Sequence, residues 1–190
     1  MNGQLLHSFY CLDIAEVLLL VAVSTIAYSL INRKVQARCW WRWLKFSVVF
    51  ALVAAITYIT LGSRDSGSVA VQVLMPFHSY REVQNGGNIE IYRSNFMNVV
   101  FFYPAGLLAT SLLPKKWSGW CRCLLVVFAL TAMSAGIEFL QYHYSLGRCE
   151  IDDVIHNTLG AFLGSFAVLW LPKLGTFLKN KIMHGSENDA

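Results

Sequence analysis

Charge is scarce in this sequence. Asp, Glu, Lys and Arg make up 14% of its 190 residues, against about 25% in soluble domains. Hydrophobic residues make up 56% and the mean hydropathy is +0.49, which excludes a water-soluble globule and leaves a polytopic membrane protein. Metal-ligand patterns are also missing. Cys121-x-Cys123 has no second pair, and His78, His143 and His156 lack a His-x-x-x-His spacing, so neither a metal nor another cofactor is expected. No nucleophile motif, internal repeat or coiled-coil heptad is present. The cations follow the membrane boundaries and trace no groove-reading stripe, which argues against nucleic acid as a partner. Five cysteines are an odd number. Cys39, Cys121 and Cys123 fall on the expected reducing side, so Cys11 and Cys149 are the pair able to bridge, and nothing in the sequence sets their separation.

What is abundant is apolar length. Five stretches without Lys or Arg, 12–31, 46–61, 96–113, 124–141 and 154–171, each approach the length that crosses a hydrocarbon core about 30 Å thick. The cations between them set an orientation, because positive loops stay in the cytoplasm. Arg33, Lys34, Arg38, Arg42, Lys45, Lys115, Lys116, Arg122, Lys173, Lys179 and Lys181 fall on one side. Arg64, Arg81, Arg93 and Arg148 fall on the other, with acids nearby. Trp40, Trp41, Trp43, Trp117, Trp120 and Trp170 lie at the expected inner interface, which amphipathic rings favour. The expected fold is therefore an all-α integral membrane protein. It is a bundle of five transmembrane helices in the cytoplasmic membrane, with the N-terminus outside and the C-terminus cytoplasmic. Residues 1–174 form one membrane domain and 175–190 a polar, disordered cytoplasmic tail. The first segment has no basic n-region and starts with Asp13 and Glu16, so it reads as a retained helix and not as a cleaved leader.

Three polar clusters, Asn95/Asn98, Glu138/Gln141 and Asp153/Asn157, fall at the same expected membrane face. A polar side chain at membrane depth costs about 2.5–3.5 kcal/mol on insertion scales, so three clusters at one level point to a site. Helical spacing turns them into stripes. Asn95, Asn98, Phe102 and Gly106 share a face of the third helix, with Pro104 predicting a kink. Thr131, Ser134, Glu138 and Gln141 line the fourth. On the fifth, Asp153, Asn157, Gly160 and Gly164 follow at intervals of four, three and four, so a small-residue packing face runs directly into a polar end. The expectation is a polar pocket opening outward. Its candidate ligand-binding residues are Asn98, Glu138, Gln141, Arg148, Asp153 and Asn157, while Pro104, Gly106, Gly160 and Gly164 serve helix packing.

The segments NVVFFYPAGLL (98–108), GIEFLQ (136–141) and GRCEIDDVIHNTLGAFLG (147–164), preceded by PFHSYRE (76–82), together resemble the VanZ-like family, named for a teicoplanin-resistance membrane protein. The resemblance covers about 74–165 in order and spacing. It departs at Leu74-Met75 and at Gly86-Gly87 in the connection to Asn95. It places the family's recurring residues on Asn98, Pro104, Gly106, Glu138, Gln141, Asp153, Asn157, Gly160 and Gly164. It also implies a cell-envelope protein linked to reduced susceptibility to lipoglycopeptides. A lipoglycopeptide or a lipid-linked cell-wall precursor is then the partner to consider besides the bilayer itself.

Each candidate also has a structural reading. Arg148 is the natural ion-pair partner for Glu138. Asp152 or Asp153 could cap the fifth helix. Asn98 and Asn157 could join helices through side-chain hydrogen bonds worth about 0.6 kcal/mol each. No catalytic residue is assigned. If the protein is instead an enzyme acting on a lipid-linked substrate, Glu138 and Asp153 would form the acid–base pair.

Overall fold

The computed structural model describes residues 14–35, 38–62, 71–86 and 90–187. Cys11, Asp13 and Arg64 lie outside the described residues, and with Cys11 lies the possible bridge to Cys149. In chain order the elements are α1 (Ile14–Val35), α2 (Cys39–Thr57) with a π-helical turn (Tyr58–Gly62), β1 (Val71–Val73), α3 (His78–Gln84), α4 (Glu90–Leu112), α5 (Gly119–His143), β2 (Arg148–Glu150) and α6 (Ile151–Glu187). The described residues of all five apolar stretches are helical. α5 begins where the Ser118 hydroxyl accepts the Cys121 N–H at 3.1 Å, satisfying one of the N–H groups that a first turn leaves open.

Among the described residues, four helices are long and apolar enough to cross a membrane: α1, α2, α4 and α5. α6 carries Asp152, Asp153, His156 and Asn157 in its first two turns, and Gly160 and Gly164 follow. α6 also runs on to Glu187, through positions whose polar composition predicts an irregular tail.

Burial is inverted relative to a soluble fold. Phe128 is 74% exposed, Phe50 69% and Trp43 67%, while Gln141, Thr110, Asp152, Ser79, Ser134 and Ser165 are among the fully buried side chains. Lipid removes the penalty on exposed apolar surface, and polar groups then gain by pairing with one another inside. Four spanning-length helices and this inversion make the chain a membrane protein.

The most extensive helix interface joins α4 to α6, and glycine makes it possible. A Cβ at Gly160 would overlap the Val99 carbonyl, one at Gly164 the Tyr103 carbonyl, and one at Gly106 the Ala161 carbonyl. The two backbones therefore touch directly, as small residues allow in membranes. Polar rungs flank the contact. Thr110 bonds Ser165 at 2.8 Å, and on the α5 side Thr131 bonds Thr158 at 2.8 Å.

Among the described residues the architecture is helical apart from one small sheet that the apolar pattern does not announce. β1 and β2 pair in parallel, Val71 with Arg148, Gln72 with Cys149 and Val73 with Glu150. Three-residue strands give no periodicity to read. The sheet ties the segment ahead of α3 to the turn ahead of α6, both at the end of the bundle that holds the polar clusters.

Candidate functional site

The polar end is built outward from Asp152. Its carboxylate is 2% exposed and accepts three donors from the loop 75 residues earlier: the Phe77 N–H, the Ser79 N–H at 2.8 Å and the Ser79 hydroxyl. Phe77 holds the left-handed conformation, φ 60°, and α3 has no cap of its own. Asp152 therefore caps α3 from another helix. Burial pushes its pKa up, but the bonds from Ser79 and Phe77 and the nearby His156 outweigh that and hold it below the ordinary carboxylate value.

The bonds continue to both sides. Asn95, 4% exposed, donates to the Ser79 hydroxyl at 2.9 Å. His156 Nδ1 lies against the Asp152 carbonyl, which can only accept, so Nδ1 carries the hydrogen. In the neutral ring Nε2 then accepts from the Tyr80 hydroxyl at 2.8 Å. Tyr80 also packs on Tyr92, with ring centroids 5.3 Å apart.

The residues singled out from the sequence surround this clamp. Asn98 donates to Asp153 Oδ1 at 2.8 Å, joining α4 to α6. One turn on, Asn157 donates to Ser134 at 2.9 Å, joining α6 to α5. Glu138, 5% exposed, accepts the Glu150 N–H at 2.8 Å. Gln141, 1% exposed, donates to the Thr60 carbonyl at 3.0 Å. Arg148, expected opposite Glu138, makes its ion pairs with Glu82 at 3.2 Å and Glu150 at 2.8 Å. The reason is geometric. Arg148 and Glu150 belong to one short strand, and Glu82 arrives on α3, while the main chain of that strand supplies the donor to Glu138. All six candidates are thus gathered at one end of the bundle.

Two features give the cluster unfilled capacity. Gln141 Oε1 and Asn157 Oδ1 are buried without a hydrogen-bond partner, although buried acceptors are normally paired. The Cys149 thiol is pushed up in pKa by burial and then by the carboxylates of Glu138, Asp153 and Glu150 around it. It is a neutral thiol amid acceptors. On the opposite face of α4 from Asn98, a cavity of about 470 Å³ opens between α1 and α4, lined by Val17, Val21, Met97, Phe101, Pro104 and Leu107 among others.

Sequence reasoning under-read Asp152, Ser79, Asn95 and His156. Asp152 looks like a self-cap, and only the return of the loop to α6 shows whose N–H groups it takes. The available signal is the doubled acid Asp152-Asp153, since one helix start needs one cap.

The VanZ/LLP1 family model matches residues 46–172. The chain belongs to the VanZ/LLP1 family. The matched region runs from α2 into α6 and includes Asp152 and all six residues above. No curated protein and no solved structure matches the chain.

Proposed function

We propose that this VanZ/LLP1 member is a five-span protein of the cytoplasmic membrane, N-terminus outside, that binds the polar head of an amphiphile entering from the outer leaflet. Charge supports that orientation, since eleven of the fifteen Lys and Arg fall at the end opposite Asp152. One observation carries the binding reading. α4 separates an acceptor-rich polar cluster around Asn98 and Asp153 from an apolar cavity lined by Met97 and Pro104. Buried carboxylates and spare amide oxygens suit a head group that donates hydrogen bonds, as sugar hydroxyls and ammonium groups do. The cavity suits an acyl chain. A lipid-linked cell-wall precursor and an acylated glycopeptide both combine those parts, and family membership supports an effect on teicoplanin susceptibility.

The test is expression of the wild type and of Glu138→Gln, Asp153→Asn and the double variant in a susceptible Gram-positive host, with membrane accumulation and teicoplanin susceptibility measured together. Binding predicts normal accumulation, partial loss of protection in each single variant, and a non-additive double variant. Val21→Trp, which fills the apolar cavity, should also reduce protection. No protection by the wild type would overturn the resistance reading.

A second reading has one observation in its favour. Glu138 and Asp153 lie at the same end of the bundle, Glu138 on the Glu150 N–H and Asp153 on Asn98, so two carboxylates of distinct surroundings are present, as acid–base catalysis uses. Glu138→Gln keeps shape and hydrogen bonding but cannot transfer a proton, so complete loss with normal accumulation would favour the enzyme.

A further inference from the structure

The opposite end of the bundle holds two adjoining cavities of about 330 and 230 Å³ that share Asn32, Ser111 and Lys115 as walls. Arg33, Lys115 and Arg122 line the first. Arg42, Lys45 and again Lys115 line the second. These five cations come from α1, α2, the α4–α5 turn and the start of α5, so the fold draws them together from four places. Among the described residues no Asp or Glu lines either cavity. The sequence explains why: positions 17–64, 91–137 and 154–186 contain no acid at all.

Positive charge at this end is required by topology alone, but topology would be served equally by cations spread through water. Lys45 is not so placed, and Arg122 is only partly so. Lys45 is 8% exposed, and its ammonium reaches the Ser111 carbonyl at a long 3.5 Å. Arg122 Nε is buried without a partner. Taking a cation out of water costs several kcal/mol unless a counter-charge meets it, and a cavity bordered by five cations is where that counter-charge would enter. Guanidinium forks match a phosphate in bidentate geometry. Leu112, Leu113, Val168 and Leu169 complete the walls, giving an apolar border on which acyl chains can rest.

We propose that this basic double cavity binds the phosphate of an anionic phospholipid from the leaflet that faces it. The site is separate from the acceptor cluster around Asp152, takes ligands of opposite chemistry, and stands whether or not that cluster binds an amphiphile.

The full chain in zwitterionic phosphatidylcholine nanodiscs would be titrated with phosphatidylglycerol, and bound lipid counted by native mass spectrometry. The wild type should retain phosphatidylglycerol in preference to phosphatidylcholine. Lys45→Gln/Arg122→Gln should bind about twenty-five-fold more weakly, at about fivefold for each juxtamembrane charge. Because that variant alters a buried and a half-buried group, Arg33→Gln/Lys115→Gln, which changes exposed ones, should show the same loss with an unchanged fold. Arg81→Gln at the far end, which removes a cation outside the cavities, should retain full binding. Equal phosphatidylglycerol retention by the wild type and both double variants would overturn the proposal. So would an equal loss in Arg81→Gln, or saturation of the cavities by millimolar glycerol phosphate, which would assign a small soluble anion in place of a lipid.

Discussion

At the end of the bundle that carries Asp152, charge is answered from within the chain: Asp152 by Ser79 and Phe77, and Arg148 by Glu82 and Glu150. At the end that carries Lys45, five cations border cavities without a carboxylate in their walls. The difference separates two uses of polar residues in a membrane. Groups that satisfy one another fix the shape of the protein, so their loss is felt as instability. An excess of one sign around a cavity leaves room for a counter-charge from outside, and under the proposal above its loss is felt as weaker binding.

Stability measurements can break that contrast. The largest effect is expected for Asp152→Ala, which orphans three donors. At about 1–3 kcal/mol per buried unsatisfied group the loss should be about 4 kcal/mol, read by thermal denaturation in detergent. Gly160→Val drives a side chain into the Val99 carbonyl and should cost about 3 kcal/mol as the α4–α6 contact opens, visible as reduced accumulation or a lower Tm.

Acid adds a third measurement. The ordinary value for Asp152 is 3.8 and its value in the folded protein is lower, so its contribution is complete above that ordinary value and fades as pH falls through the folded one. Melting temperature should fall below about pH 4 in the wild type, and the Asp152→Asn variant should lose this component of the slope. Arg148→Ala removes half-exposed ion pairs and should cost only about 0.5 kcal/mol. Smallest of all, Arg33→Gln at the basic end should change stability in zwitterionic detergent by less than about 0.5 kcal/mol. A loss there as large as at Asp152 would erase the distinction between the two ends.

Much of the polar end is readable along the chain. Asn98, Glu138, Gln141, Asp153 and Asn157 follow from spacing, because helical periodicity puts them on stripes and membrane depth makes each costly. Gly160 and Gly164 are likewise readable as a packing face, though not the identity of the carbonyls they meet. Arg148 shows where such reading stops. Its nearest acid across the loop looks like Glu138, yet strand pairing turns it to Glu82, a residue 66 positions away. The basic cavities are legible as charge and invisible as cavities, since Arg33 and Arg122 meet only after α1 and α5 have packed.

The sequence by itself determined that this is a helical membrane protein of the VanZ/LLP1 family, because composition, apolar length and short-range spacing act through local geometry and the bilayer. Only the tertiary structure decided which acid clamps the α3 loop, which partners Arg148 takes, and that the cations enclose a space. Those depend on contacts between segments tens of residues apart, and no local rule of the chain sets such distances.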